Sequence, residues 1–209
     1  MSATARATLA VGGFVPFTTV DYPGKLSAVV FCQGCPWRCG YCHNAHLQAF
    51  TTGVWPWAAI LSRLVERQGF LDAIVFSGGE PTAQAALPGA MAEVKELGFL
   101  VGLHTAGMYP GRLAAVLPLV DWVGFDVKAP FDGKYDALTQ RDGAWLPVRE
   151  SLRLLLSSKV DYQIRTTLAR THLDGSACSE LQRQLHALGA KPTQWQTCRP
   201  PATAPQNPA

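Results

Sequence analysis

Apolar and polar positions along this chain switch between two periods, and the switching lays out its elements. Short runs rich in β-branched and aromatic residues at 26–31, 71–76, 99–103, 122–127, 162–168 and 193–197 read as strands. Between them the apolar positions recur at helical spacing. Ile60, Leu61, Leu64 and Val65 share one face of a helix over 56–68, with Gly69 as its C-terminal stop. Leu87, Met91, Val94 and Leu97 do the same over 87–97, and 111–119, 149–158 and 176–188 complete the helical set. Strand followed by helix, about six times over, predicts a parallel sheet with crossover helices. Six units are too few to close the familiar eightfold barrel. The expected fold class is therefore α/β, an open partial (β/α)6 barrel with a parallel sheet.

The ends are poorer in signal. Residues 1–13 read as a flexible arm, and 14–27, with Pro16, Asp21, Pro23 and Gly24, as a turn-rich lead-in. A single domain is expected over 14–199. Residues 200–209 hold four prolines and no strong hydrophobe, which reads as a disordered tail.

Composition narrows the function classes. The chain has 209 residues, 48% hydrophobic and 16% charged, enough for one well-formed core. The net charge of +3 comes without any Lys/Arg cluster, so nucleic acid is not an expected partner. No apolar run approaches the roughly 20 residues a bilayer-spanning helix needs, and the first ten residues lack a signal-peptide pattern. No membrane association and a cytoplasmic location are the expectations.

The cysteines change the picture most. Four of the six fall between positions 32 and 42, which is a metal pattern rather than a disulfide framework. Cys35, Cys39 and Cys42 stand as Cys-x3-Cys-x2-Cys on a loop that a predicted strand delivers. Thiolates suit zinc or iron–sulfur clusters. Structural zinc closes with four ligands, and electron-transfer clusters normally use four cysteines. Cys32 is the available fourth. It sits at the strand's end, where its side chain can face the sheet core instead of the loop. The spacer between the pairs Cys32/Cys35 and Cys39/Cys42 is too short for two facing zinc knuckles.

The array resembles the signature of radical S-adenosylmethionine (SAM) enzymes, including the aromatic Tyr41 before the last cysteine. Residues 14–44 are similar in particular to the activating proteins of anaerobic ribonucleoside-triphosphate reductase. The segments Thr19-Val20-Asp21-Tyr22-Pro23-Gly24-Lys25-Leu26-Ser27, Gln33-Gly34-Cys35 and Tyr41-Cys42-His43-Asn44 carry that likeness, and Gly78-Gly79-Glu80-Pro81 strengthens it. The resemblance implies a 4Fe-4S cluster on Cys35, Cys39 and Cys42, with one iron left open for SAM. Reductive cleavage of SAM would give a 5′-deoxyadenosyl radical that takes a hydrogen from a glycine of a large partner. A flavodoxin or ferredoxin-type reductant would supply the electron.

The same resemblance assigns the cofactor contacts. Gly78, Gly79 and Glu80 would receive the methionyl amino group, and the backbone of Tyr41 would lie near the adenine. Lys128, with Asp126 beside it, would face the carboxylate, and Thr105 lies in the neighbouring strand-end motif. Independently of the resemblance, Arg165 sits mid-strand between Ile164 and Thr166, where an interior arginine needs an anionic partner, and the cofactor carboxylate is one candidate. His104 departs from the family, whose activating members tend to carry Asp there, so a cation site built on that Asp is in question. Asp126 is the alternative partner of Arg165. Cys178 and Cys198 read as ordinary thiols. Two other functions stay open: a small radical SAM enzyme resembling 7-carboxy-7-deazaguanine synthase, and a non-enzymatic metal module using all four clustered cysteines.

Overall fold

A computed structural model of the chain describes residues 8–169 and 173–198. Seven strands form one sheet in sequence order: β1 (Val11–Thr18), β2 (Ser27–Cys32), β3 (Ala73–Gly78), β4 (Leu100–Thr105), β5 (Trp122–Asp126), β6 (Asp161–Leu168) and β7 (Gln194–Thr197). From β2 to β7 every pairing is parallel. The crossovers are α1 (Trp57–Val65), α2 (Leu87–Glu96), α3 (Pro110–Val116), the pair α4 (Gly133–Thr139) and α5 (Trp145–Ser157), and α6 (Gly175–Ala187). The order never returns to β1, so the sheet is an open arc of six parallel strands with one added strand. That is the partial barrel the alternation predicts.

The period of two sorts the sheet into two faces. Ala28, Val30, Cys32, Ile74, Phe76, Val101, Leu103, Val123, Phe125 and Ile164 point outward and form the main core with the helices. Val29, Ala73, Val75 and Trp122 point inward, where Tyr22 joins them in a second, smaller core. Tyr22 belongs to the lead-in between β1 and β2, so this loop fills the lower part of the half-barrel. Its ring packs 5.2 Å from that of Trp122.

Three expectations need correction. Residues 11–13 are not a flexible arm: β1 begins at Val11, runs antiparallel to β2, and Leu9 and Val11 are buried. Gly12, Gly13 and Pro16 hide this strand from periodicity, and proline is tolerated because β1 lies at the sheet edge. The domain therefore starts before residue 14. Second, α4 carries no clear apolar stripe and was not anticipated. Third, α5 starts at Trp145 rather than 149. Residues 1–7 and 200–209, the rest of the expected arm and the tail, lie outside the described residues.

Candidate active site

The cysteine loop leaves the upper end of β2 and is held by backbone on both sides. Gly34 N–H donates to Leu47 O (2.8 Å), and Cys35 N–H to Gln48 O (3.1 Å). Gln84 clamps its base, donating to Ala10 O (2.7 Å) and Gln33 O (3.0 Å) while accepting from Ala10 N–H (2.7 Å). Further along, Trp37 is buried against the Tyr135 ring of α4, centroids 5.8 Å apart, and Arg38 N–H donates to Thr139 O (3.1 Å). The unanticipated helix α4 thus seats the loop.

The four clustered cysteines divide as their positions suggested. Cys32 is fully buried on the outer face, in the main core. Cys35, Cys39 and Cys42 are partly exposed on the loop. Burial pushes the Cys35 thiol up to about 12, a rise that the Trp37 backbone and the Lys128 charge moderate. Burial likewise raises Cys39, with Lys128 working against it and Cys42 adding to it. Cys39 adds to the rise at Cys35, and Cys42 to the rise at Cys39, so the middle cysteine lies within electrostatic reach of the other two. Among the described residues no three His, Cys, Asp or Glu side chains converge on a single metal ion. A thiolate-only set of three, next to a lysine ammonium and with the fourth cysteine turned away, suits an iron–sulfur cluster with an open iron and does not complete a zinc site.

The Gly-Gly-Glu-Pro turn at the end of β3 lies directly against this loop. Gly79 N–H donates to Cys32 O and Glu80 N–H to Gly34 O, both at 2.9 Å. A Cβ on Gly79 would stand 2.3 Å from Gly34 O, and one on Gly78 (φ 105°) 2.6 Å from Cys32 N. The glycines are required because two backbones touch here. The Gly79 and Glu80 N–H groups are thus spent within the protein, so an amino group approaching this turn would meet backbone carbonyls.

Glu80 departs from expectation. Its side chain is 1% exposed. Oε1 accepts from Thr82 N–H (3.1 Å), Thr105 Oγ1 (2.6 Å) and the Thr82 hydroxyl, and Oε2 from Ala106 N–H (3.0 Å). The Thr105 hydroxyl in turn accepts from Gly107 N–H (3.0 Å). Glu80 and Thr105 therefore bracket the ends of β3 and β4 together. Burial raises the Glu80 carboxyl, against the pull of these hydrogen bonds.

Asp126, Lys128 and Arg165 do come together, at the upper end of β5 and β6. Arg165 Nε donates to Asp126 Oδ1 at 2.9 Å, and a second guanidinium nitrogen lies 2.8 Å from the same oxygen. Lys128 Nζ is 3.8 Å from Asp126 Oδ2 and 5.8 Å from the Tyr41 ring centroid. Asp126 keeps 34% of its side-chain surface exposed. Burial would raise its pKa, but Arg165, then Lys128, hold it below the usual carboxylate value. Burial opposes the charge on Lys128, yet Tyr41 and Asp126 outweigh it and keep the amine well above the ordinary lysine range. Burial lifts the Tyr41 hydroxyl to about 12, a rise that the Lys128 charge moderates.

His104 sits one layer below. It is buried on the inner face of β4, with Nε2 2.9 Å from Asp21 O and Nδ1 3.2 Å from Ser77 Oγ. A carbonyl can only accept, so Nε2 carries the proton and Nδ1 accepts from Ser77. Both ring nitrogens are committed, which leaves none to ligate a cation. Gln84, Trp37, Tyr135 and Ser77 are the contributors that spacing did not reveal; the signals available for α4 were its N-cap, Asp132, and the stacked pair Phe131 and Tyr135.

Comparison with known proteins places this site in context. The Radical SAM superfamily model matches residues 29–175, a span holding the three loop cysteines and the strand-end cluster. A Methanocaldococcus jannaschii chain named as a glycyl-radical enzyme activating enzyme is 34% identical over 178 residues, 78% of this chain and 70% of that one. A pyruvate formate-lyase-activating enzyme of Clostridium pasteurianum is 34% identical over 126 residues, 57% of this chain and 52% of its own length. The crystal structure of Streptococcus suis SuiB bound to S-adenosylmethionine superposes with a TM-score of 0.59 at 12% identity, covering 80% of this chain and 38% of that one, a likeness of fold alone.

Proposed function

The chain belongs to the radical SAM superfamily, and we propose that within it the protein is a glycyl-radical enzyme activase whose partner is anaerobic ribonucleoside-triphosphate reductase. The observation that carries the activase reading is the 34% identity over 178 residues to a chain named for that activity. The lead-in Asp21-Tyr22-Pro23-Gly24-Lys25, which resembles the reductase activators, supports the choice of partner. A cytoplasmic location and a flavodoxin or ferredoxin-type reductant belong to the same proposal. Among the described residues no helix is long and apolar enough to cross a membrane.

In this reading Cys35, Cys39 and Cys42 would hold a 4Fe-4S cluster, and the strand-end residues Asp126, Lys128 and Arg165 would bind SAM. When bound, such a cluster would supply the electron for reductive cleavage of SAM. The chain's own residues bind and orient. Lys128 and Arg165, two cations sharing one carboxylate, leave a net positive charge for the methionyl carboxylate. Glu80 and Thr105 fix the turn that the amino group would approach. The Tyr41 backbone borders the adenine. The filled lower half-barrel restricts entry to the upper rim and keeps water out from below.

The test is anaerobic reconstitution followed by dithionite and SAM. Deoxyadenosine should form, and addition of purified reductase should give a glycyl-radical electron paramagnetic resonance (EPR) signal. Pyruvate formate-lyase and the pterin precursor of 7-carboxy-7-deazaguanine serve as competing substrates. A radical on the lyase alone, or turnover of the pterin, would replace the proposed partner.

A further inference from the structure

The imidazole of His104 and the guanidinium of Arg165 share one niche, and Gly124 makes it. His104 is directly opposite Gly124 in the β4–β5 register. A Cβ on Gly124 would stand 2.8 Å from His104 Cδ2 and 2.9 Å from both Cζ and an amino nitrogen of Arg165. The guanidinium therefore reaches back from β6 across the bare backbone of β5, also lying 3.4 Å from Gly124 O, and meets the ring there.

The ring offers that guanidinium no acceptor. Nε2–H is spent on Asp21 O and Nδ1 on Ser77 Oγ, and the far side of the imidazole meets Trp122 edge-on, centroids 5.6 Å apart. Arg165 is left with Asp126 as its anionic partner. The formal charges of Asp126, Lys128 and Arg165 sum to +1, and a neutral His104 leaves that sum unchanged. Burial, then the Arg165 charge, lowers the imidazole pKa to about 3, in keeping with a ring that stays neutral.

We propose that His104 is a positioning residue for SAM: as a neutral spacer locked between Asp21 and Ser77, it confines Arg165 to Asp126 and preserves the +1 charge that receives the ligand's carboxylate. The inference rests on the cofactor contacts assigned above, but not on the identity of the glycyl-radical partner. In the absence of a bound cation, a carboxylate at position 104 would capture Arg165 and bring the cluster to zero net charge. A neutral hydrogen-bonding side chain would not.

The experiment measures SAM dissociation constants, in buffer free of sodium and potassium ions, for anaerobically reconstituted wild type, His104→Asp, His104→Asn and His104→Gln. Iron content and thermal unfolding are recorded alongside. 5′-Methylthioadenosine, which lacks the carboxylate, is the control ligand. His104→Asp is expected to weaken SAM at least about tenfold, the scale of one added charge near a partly buried site, and to change methylthioadenosine by less than threefold. His104→Gln and His104→Asn should hold SAM within about threefold of wild type. The SAM concentration that half-perturbs the cluster's EPR signal should rise correspondingly in His104→Asp only. A loss in a folded, iron-loaded His104→Gln as large as the one expected for Asp would overturn the proposal, and this arm stands even if the Asp variant does not fold. Unchanged SAM affinity in a folded His104→Asp would overturn it equally.

Discussion

Asp126 and Arg165 face each other at one register step of β5 and β6, and a single carboxylate oxygen takes both guanidinium contacts, at 2.9 and 2.8 Å. The other oxygen is left to Lys128 at 3.8 Å. One anion thus organises two cations above the interior of the half-barrel. Lys128→Met should then lower SAM affinity about tenfold to a hundredfold, because a charge-assisted contact is lost from a partly enclosed site. Stability should change little, since Asp126 keeps its Arg165 partner. Equilibrium dialysis of the reconstituted protein with SAM checks the first outcome, and urea unfolding the second.

Cys32 ends β2 buried in the main core, whereas Cys35, three residues on, is partly exposed on the loop. Cys32→Ala should retain wild-type iron and sulfide content and cost about 1–2 kcal/mol of stability, the effect of a small cavity in the core. Ala at Cys35, Cys39 or Cys42 should abolish cluster incorporation. Iron and sulfide analysis after reconstitution separates the two. Loss of the cluster in Cys32→Ala would restore the four-thiolate alternative.

These residues also show how much the sequence could tell. The parallel strands were legible because their outward positions, such as Val30, Phe76 and Phe125, repeat within short β-rich runs. The cysteine loop was legible because its spacing is fixed by thiolate chemistry. β1 was not, because Gly12, Gly13 and Pro16 interrupt its pattern and its burial comes from partners far along the chain, Trp55 among them. The duties of Glu80 and His104 were hidden for a similar reason. Residue type shows that a buried carboxylate needs donors, but not that Thr105 and Ala106, twenty-five and twenty-six residues on, provide them.

Glu80 gives a stability prediction with a defined pH sense. Removing its carboxylate strands the donors on Thr82, Thr105 and Ala106 in a buried site. Glu80→Ala should cost about 3 kcal/mol or more, and Glu80→Gln less. The folded-state pKa is raised above the ordinary 4.5, so the proton is held more tightly in the folded protein. The associated stability is full below about pH 4.5 and is lost as pH rises through the folded value. Relative to Glu80→Gln, wild type should therefore weaken as pH rises from that point. Denaturant titrations of both proteins across the range read the difference directly, and a difference of opposite slope would contradict the burial argument.

Gly79 tests whether the turn after β3 and the cysteine loop act as one unit. Its position leaves no room for a methyl group: a Cβ would lie 2.3 Å from Gly34 O and 3.1 Å from Leu47 O, both backbone atoms. Neither can swing aside as a side chain would. Gly34 is also tied to Leu47 and Glu80 through its own N–H and carbonyl. Gly79→Ala must therefore push the loop outward, breaking the Glu80 N–H to Gly34 O bond and shifting Cys35. The expected cost is at least about 2 kcal/mol, as for overpacking elsewhere, with cluster content falling by half or more. Gly89→Ala, in α2 with nothing within 4 Å of the added carbon, is the matched control and should leave both unchanged. Equal iron content in the two variants would mean that the loop finds its place without the turn.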